Sequence, residues 1–336
     1  MRDSSLAAFL CTLIVAACGR STVQEPAPAS TSLTTTTATA TVSAPPTATL
    51  SSRISRSPAA RVVAIGDLHG DLDAARRALR LAGAIDVHDA WIGGTLTLVQ
   101  TGDEIDRADG DRAILDLFER LKVDATKAGG EVIALTGNHE LMNASLDFRY
   151  VTPGGFAAFS DLHLPAAQAS QIHLDDPNES GRAAAFLPGG PYALKIAERP
   201  LFVKVGDSVF VHGGILPKHL KYGLDRMNDE THDWLLGKRA DCPKIVSSED
   251  GPVWTRMYSA APGREECATL DEALQGLNAK RMVVGHTVQR NGISSACSDH
   301  VWRIDTGMSK VFEGKIEVLE IRGDVVATLR ESADGG

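Results

Sequence analysis

Five short phrases recur in order along this chain: Gly66-Asp67-Leu68-His69-Gly70, Gly102-Asp103-Glu104-Ile105-Asp106-Arg107, Gly137-Asn138-His139-Glu140, His212-Gly213-Gly214 and Gly285-His286. An apolar, strand-like run leads into each, and that rhythm restricts the fold more than any single residue does. Arg61 to Ile65 is a β-branched run that stops at Gly66-Asp67, which reads as a buried strand ending in a loop. Asp71 to Leu81 then places Leu72, Ala75 and Leu79 at helical spacing, with Asp71 near the helix start. Thr95 to Thr101 is a second strand, and Asp111 to Lys127 carries Ile114, Leu117, Phe118 and Leu121 on one helical face. Glu131 to Thr136 makes a third strand. Strand–loop–helix alternation of this kind predicts an α/β domain whose functional loops lie at the carboxyl ends of strands.

Beyond Glu140 the pattern loosens. Residues 141–200, broken by Pro-Gly-Gly at 153–155 and Pro-Gly-Gly-Pro at 188–191, read as a helical excursion over the site. Leu201 to Val205 and Ser208 to His212 read as a hairpin through Gly206-Asp207, residues 215–280 as irregular, and Arg281 to Val284 as a further strand. Val301 to Ile304, Lys315 to Ile321 and Val325 to Leu329 read together as a second sheet.

Laid side by side, the strand ends present Asp67, His69, Asp103, Asn138, His212 and His286 to one cleft. Carboxylate, imidazole and amide oxygen together suit Mn, Fe, Zn or Mg. Two such ions about 3.5–4 Å apart can hold a hydroxide between them and stabilise an in-line displacement at phosphorus. Asp103 is the natural bridge, since a carboxylate offers one oxygen to each ion. Each residue alone has an ordinary alternative: Asp67 as a helix cap, Asn138 as a turn residue, His212 as a buried strand-end histidine. Six at strand ends beside turn-forming glycines favour the metal pair.

The first residues carry a different message. Arg2 precedes an apolar stretch from Leu6 to Ala17, too short for a membrane span, which needs about 20 apolar residues, but suited to an export signal. Val15-Ala16-Ala17-Cys18 has the form of a lipoprotein cleavage box with Cys18 as the lipidated residue; ordinary signal cleavage that discards Cys18 is the alternative. Residues 19–58, rich in Ser, Thr, Ala and Pro, predict a disordered tether, and 61–330 the catalytic body. The expected location is therefore outside the cytosol, anchored by lipid and facing the periplasm or cell exterior. Past Cys18 remain Cys242, Cys267 and Cys297, an odd number that predicts one disulfide and one free thiol, with Cys242–Cys267 the favoured pair. The formal net charge of −9 speaks against a nucleic-acid partner.

The longer phrases narrow the reading. With Asn138-His139-Glu140-Leu141-Met142-Asn143, Phe148-Arg149-Tyr150-Val151-Thr152-Pro153, Val253-Trp254-Thr255-Arg256, Val284-Gly285-His286-Thr287 and Asp305-Thr306-Gly307-Met308-Ser309, the chain from Val62 to about Met308 resembles the calcineurin-like metallophosphoesterases. Within them it resembles the phosphoprotein phosphatases, and most closely their Shewanella-like branch. The resemblance implies a four-layer α/β/β/α sandwich with two mixed sheets. It implies two divalent ions, manganese foremost: Asp67 and His69 on the first, Asp103 bridging, and Asn138, His212 and His286 on the second. It further implies His139 as the general acid, oriented by Asp106, with a seventh metal ligand as the alternative for His139. Arg107 and Arg256 would clamp phosphate oxygens with their guanidinium forks; surface ion pairing is the ordinary alternative for either. One departure stands out: Ala108 follows Arg107 where the family pattern has glycine. The implied activity is phosphomonoester hydrolysis, on phosphotyrosine or phosphoserine/threonine of a protein or peptide or on a small phosphomonoester. A nucleotide or dinucleoside polyphosphate hydrolase and an inactive metal- or peptide-binding module remain as rivals.

Overall fold

In the computed structural model, residues 50–331 are described apart from 171 and 175. Cys18, the export signal and the tether up to residue 49 lie outside the described residues. Eleven strands and eleven helices follow in order: β1 (Ser55–Arg56), β2 (Val62–Ile65), α1 (Leu72–Leu81), β3 (Thr97–Gln100), α2 (Asp111–Lys127), β4 (Glu131–Ala134), α3 (Asn138–Ala144), α4 (Pro153–Ala157), α5 (Ala166–Ala169), α6 (Ser180–Phe186), α7 (Pro191–Ala197), β5 (Phe202–Val205), β6 (Ser208–Val211), α8 (Pro217–Tyr222), α9 (Leu224–Leu235), α10 (Lys244–Ser247), α11 (Arg264–Leu277), β7 (Arg281–Val284), β8 (Ser294–Ala296), β9 (Val301–Arg303), β10 (Glu317–Arg322) and β11 (Val325–Arg330).

Two mixed sheets organise them. One has the order β11-β10-β2-β3-β4, the other β1-β5-β6-β7-β9-β8. In the first, β2, β3 and β4 run parallel; in the second, β6, β7 and β9 do. The alternation of side chains along each strand builds the layers. Val62 and Ala64 of β2, Val99 of β3 and Ile133 of β4 pack with Val203, Phe210 and Val283 of the other sheet. Their neighbours Val63, Ile65, Leu98 and Val132 turn outward onto Leu79 of α1 and Ile114, Phe118 and Leu121 of α2. On the far side, Phe202, Val209, Val211 and Met282 meet Phe186, Ile196, Met227 and Leu274 of α6, α7, α9 and α11. The outcome is the four-layer α/β/β/α sandwich. Strands buried on both faces explain why their sequences read as unbroken apolar runs rather than alternating ones.

Four expectations need correcting. The late strands do not make a sheet of their own: β9 joins β7 in parallel, while β10 returns antiparallel to β2. Strand pairing is a long-range choice, and the short apolar runs carry no mark of their partner. Residues 215–280, read as irregular, hold α8 to α11. α8 and α10 are too short to show a period, whereas α9 and α11 carry one that the reading passed over, in Leu224, Met227, Thr231 and Trp234 and in Leu270, Ala273, Leu274 and Leu277. The body also starts earlier than Arg61. Ser55 and Arg56, in the segment read as tether, pair with Lys204 and Val205, and Ile54 is fully buried. Finally, the disulfide joins Cys267 to Cys297, with Cα atoms 5.3 Å apart, and Cys242 is the free thiol. Cys297 sits in the turn between β8 and β9, which the sheet order carries to the first turn of α11; there the His300 imidazole donates to Asp271 at 2.7 Å. Proximity in sequence gave no hint of that approach. Among the described residues no helix is long and apolar enough to cross a membrane.

Candidate metal centre

The parallel strands of both sheets deliver their carboxyl ends to one cleft. Asp67 and His69 follow β2, Asp103 follows β3, Asn138 opens α3 just after β4, and His212 and His286 follow β6 and β7. The loops that carry them are tightly bent. His69, Asp103, Asp106, Arg107 and His286 all have φ between +46° and +71°, conformations L-residues rarely adopt and which cluster at functional sites. Ala108 is not among the left-handed residues, so alanine fits there without strain.

Around Asp103 two groups of donors gather. His212 Nε2 lies 3.2 Å from Asp103 Oδ2, 2.9 Å from Asn138 Oδ1 and 3.1 Å from His286 Nδ1. His69 Nε2 lies 3.9 Å from both Asp103 Oδ2 and Asp67 Oδ2. The protons of these imidazoles are accounted for elsewhere, because a carbonyl oxygen can only accept. His212 Nδ1 donates to Thr101 O at 2.9 Å, His286 Nε2 to Trp254 O at 2.9 Å, and His69 Nδ1 to Ile105 O at 3.3 Å. In the neutral rings the inner nitrogens are therefore lone pairs facing carboxylate and amide oxygens. Acceptors converging with no hydrogen between them fit a cation, and outer N–H groups fixed on carbonyls are the usual support of metal-binding histidines.

Charge tells the same story. Burial and the nearby Asp305 and Asp103 push the Asp67 carboxyl well up, and burial raises Asp305 to about 6. Burial lowers the His69 imidazole to about 3, so it stays neutral and free to ligate. Asp103 is held well below the ordinary carboxylate range by His212 and His139, although burial opposes this. Carboxylates crowded together in a buried site are unfavourable by themselves and suit divalent cations.

His139 stands beside this centre. Its Nδ1 donates to Asp106 Oδ2 at 2.6 Å, and its Nε2 lies 3.8 Å from Asp103 Oδ2. Against the lowering effect of burial, Asp103 and the hydrogen bond to Asp106 raise its pKa. Arg107 and Arg256 line the same cavity of about 200 Å³. Arg107 is laid over the Tyr150 ring, 4.3 Å from its centroid, with Phe312 at 5.2 Å, and its buried Nε has no partner. Arg256 Nη1 donates to His286 O at 2.6 Å and to Thr287 Oγ1 at 2.9 Å. All ten sequence-predicted cleft residues thus meet in one place.

The sequence reading missed the supports and the rim. Glu140 accepts from the backbone N–H groups of Gly137, Asp103 and Glu104 at 2.8, 3.0 and 2.9 Å, tying two of the phrases together. Arg199 donates to Glu104 at 2.9 Å. Tyr150, Trp254 and Phe312 line the cavity, as does Asp305. The only warning in the sequence was that three of these four sit inside or beside the longer phrases. Residues 141–200 also differ from the expected cover: Tyr150 borders the site, but α6 and α7 pack as part of the outer helical layer.

Similarity to known proteins agrees with this geometry. The calcineurin-like phosphoesterase family matches residues 60–290. Shewanella-like protein phosphatase 2 of Arabidopsis thaliana is 40% identical over 295 residues, covering 79% of this chain and 75% of that protein. Shewanella-like protein phosphatase 1 of Plasmodium berghei is 33% identical over 261 residues, covering 74% and 67%. The crystal structure of a mutant cold-active protein tyrosine phosphatase superposes with a TM-score of 0.66 at 26% identity, over 84% of this chain and 85% of that one. With the fold and these relatives together, the chain belongs to the calcineurin-like metallophosphoesterases and is a phosphatase of their Shewanella-like branch.

Proposed function

We propose that this phosphatase is a dimetal-dependent phosphomonoesterase acting on phosphorylated protein or peptide, with phosphotyrosine the preferred residue. The observation that carries the reading is the pair of donor groups sharing Asp103, His69 with His139 and His212 with His286, together with the hydrogen bond that turns His139 to Asp106. Asp67 and His69 would hold one ion, Asn138, His212 and His286 the other, and Asp103 both. The oxygen-and-nitrogen donor set is compatible with Mn, Fe, Zn or Mg, and Mn is the ion we take first. Bound ions supply activation of the attacking water and neutralise phosphoryl charge.

The chain's own residues do the rest. Arg107 and Arg256 hold the non-bridging phosphate oxygens, with Arg107 pre-set by its stacking on Tyr150. His139 Nε2 gives a proton to the leaving oxygen, while Asp106 keeps the ring in orientation. Tyr150, Trp254 and Phe312 offer aromatic walls to an aryl leaving group. The cavity of about 200 Å³ is smaller than the ~300–1,000 Å³ of pockets that enclose drug-sized ligands, which disfavours dinucleoside polyphosphates. The phosphotyrosine preference also draws on the relative described as a protein tyrosine phosphatase.

The deciding experiment is a substrate panel with Mn: phosphotyrosine peptide, phosphoserine peptide, an aryl phosphate, ATP and a dinucleoside tetraphosphate. Highest kcat/KM on the phosphotyrosine peptide is expected; preference for ATP or the dinucleotide would replace this reading. His139→Ala should lower kcat on the peptide by ~10²–10⁴ with two metals still bound, and loss of a metal would make His139 a ligand. We further propose lipid anchoring at Cys18 to a membrane, with the enzyme facing the periplasm or cell exterior, supported by Val15-Ala16-Ala17-Cys18 and by a disulfide that accords with an oxidising compartment. Cys18→Ser should move the protein to the soluble fraction; continued membrane association would refute the anchor.

A further inference from the structure

Arg182, in α6, is the largest fully buried side chain among the described residues. Its guanidinium is spent on four groups. Nη2 donates to Asp106 Oδ1 at 2.8 Å, Nε to Asn143 Oδ1 at 2.6 Å and Nη1 to Gly155 O at 2.9 Å, and Nη1 also pairs with Asp111 Oδ2 at 2.6 Å. Phe159 and Phe186 close the site, with the guanidinium carbon 5.4 and 5.0 Å from their ring centroids.

Three of the four polar partners bear on Asp106: the residue itself, Asn143 and Asp111. Asn143 Nδ2 donates to Asp106 Oδ1 and Oδ2 at 3.0 and 3.1 Å and to His139 O at 2.9 Å. Asp111 Oδ1 accepts the Asp106 backbone N–H at 3.0 Å, which fixes a residue whose φ is +71°. With Oδ1 occupied by Arg182 and Asn143, Oδ2 is left turned to His139 Nδ1 at 2.6 Å. A buried ion pair is by itself poor support for stability, since apolar replacements of the same volume often do as well. Its position on the oxygen opposite the histidine is what needs explaining.

We propose that Arg182 is a positioning residue for proton delivery: it clamps Asp106 Oδ1 so that Oδ2 holds the His139 ring with Nε2 facing the leaving oxygen. The inference rests on the phosphomonoesterase reading given above. It makes the helical segment 141–200 a working part of proton transfer, although neither α6 nor Arg182 lines the cleft.

The test compares phenyl phosphate, whose phenolate leaves poorly without a proton, with 2,4-dinitrophenyl phosphate, which needs none. Arg182→Met, which keeps the volume, should lower kcat on phenyl phosphate by ~10²-fold, within the range a general acid supplies, while the dinitrophenyl ester keeps its rate and bound metal is unchanged. Arg182→Lys keeps the charge without the fork and should show the same selective loss to a smaller degree, so it decides the matter if the Met variant does not fold. His139→Ala serves as the reference for selective loss. Equal losses on both esters in the Arg182 variants, or none on either, with selective loss intact in His139→Ala, overturn the positioning role alone. Wild-type protein that hydrolyses neither ester overturns the phosphomonoesterase reading and the inference with it.

Discussion

At Gly285 a Cβ would stand 2.4 Å from Asp67 Oδ1 and 3.0 Å from Thr101 Oγ1, although the backbone there lies outside the left-handed region. Alanine is therefore permitted by the chain and refused by the carboxylate, which makes Gly285→Ala a clean probe of Asp67. The Asp67 side chain must rotate away, losing the 3.1 and 3.2 Å hydrogen bonds it accepts from His286 N. We expect bound Mn to fall from two ions towards one and stability to drop by about 1–3 kcal/mol, the usual cost of overpacking. Metal analysis and urea unfolding measure both; full metal occupancy would show that Asp67 is not a ligand. Gly137 is tighter still, since a Cβ there would meet both the Asp103 carboxylate and the Asp103 backbone nitrogen, which no side-chain rotation relieves. Residues of this kind were legible in the sequence because small and polar residues stand together in one phrase. Arg182 and Arg199 were not: each sits in an ordinary segment, and its partners lie 27 to 95 positions away.

At the scale of elements, the parallel strands β2, β3, β4 and β7 were readable because burial on both faces gives each an apolar stretch without alternation: Val62–Ile65, Leu98 and Val99, 132–134 and 282–284. The short helices α8 and α10 were not, since local capping rather than periodicity defines them. α8 shows how. The Leu216 N–H donates to His219 Nδ1 at 3.0 Å, and His219 Nε2 donates to Asp250 O at 3.0 Å, so the ring must be neutral. Burial, helped by Lys218, lowers its pKa from 6.5 to about 4. The folded protein then binds fewer protons than the unfolded chain across that window, so this contribution is complete above pH 6.5 and is lost as pH falls towards 4. The full shift corresponds to roughly 3 kcal/mol as an upper bound. His219→Gln, which cannot titrate, should therefore lose less of its urea midpoint than the wild type on acidification across that range. Parallel pH profiles for the two proteins would remove His219 from the account.

At the scale of the molecule, the sequence conveys the layers but not the joins between them. Which strands share a sheet, and which cysteines meet, depend on contacts far apart in sequence, and the Cys267–Cys297 link is the sharpest case. It spans 30 residues, from the first turn of α11 across β7 to the β8–β9 turn. Closing a loop of that length in the unfolded chain is worth about 3–4 kcal/mol in the chain-entropy account. Cys242 is a weak competitor for either partner, because burial pushes its thiol up to about 12 and leaves little thiolate to exchange at neutral pH. Cys297→Ser should accordingly lower stability by about that 3–4 kcal/mol, and reductant should bring the wild type down to the same level. Cys242→Ser, at a partly buried site packed against the core, should keep the wild type's full response to reductant, because the disulfide is untouched. Urea unfolding with and without dithiothreitol separates the cases. Coincident wild-type curves would mean the bond does not form, removing one of the two supports for placing this phosphatase in an oxidising compartment and leaving the Cys18 signal to carry that placement alone.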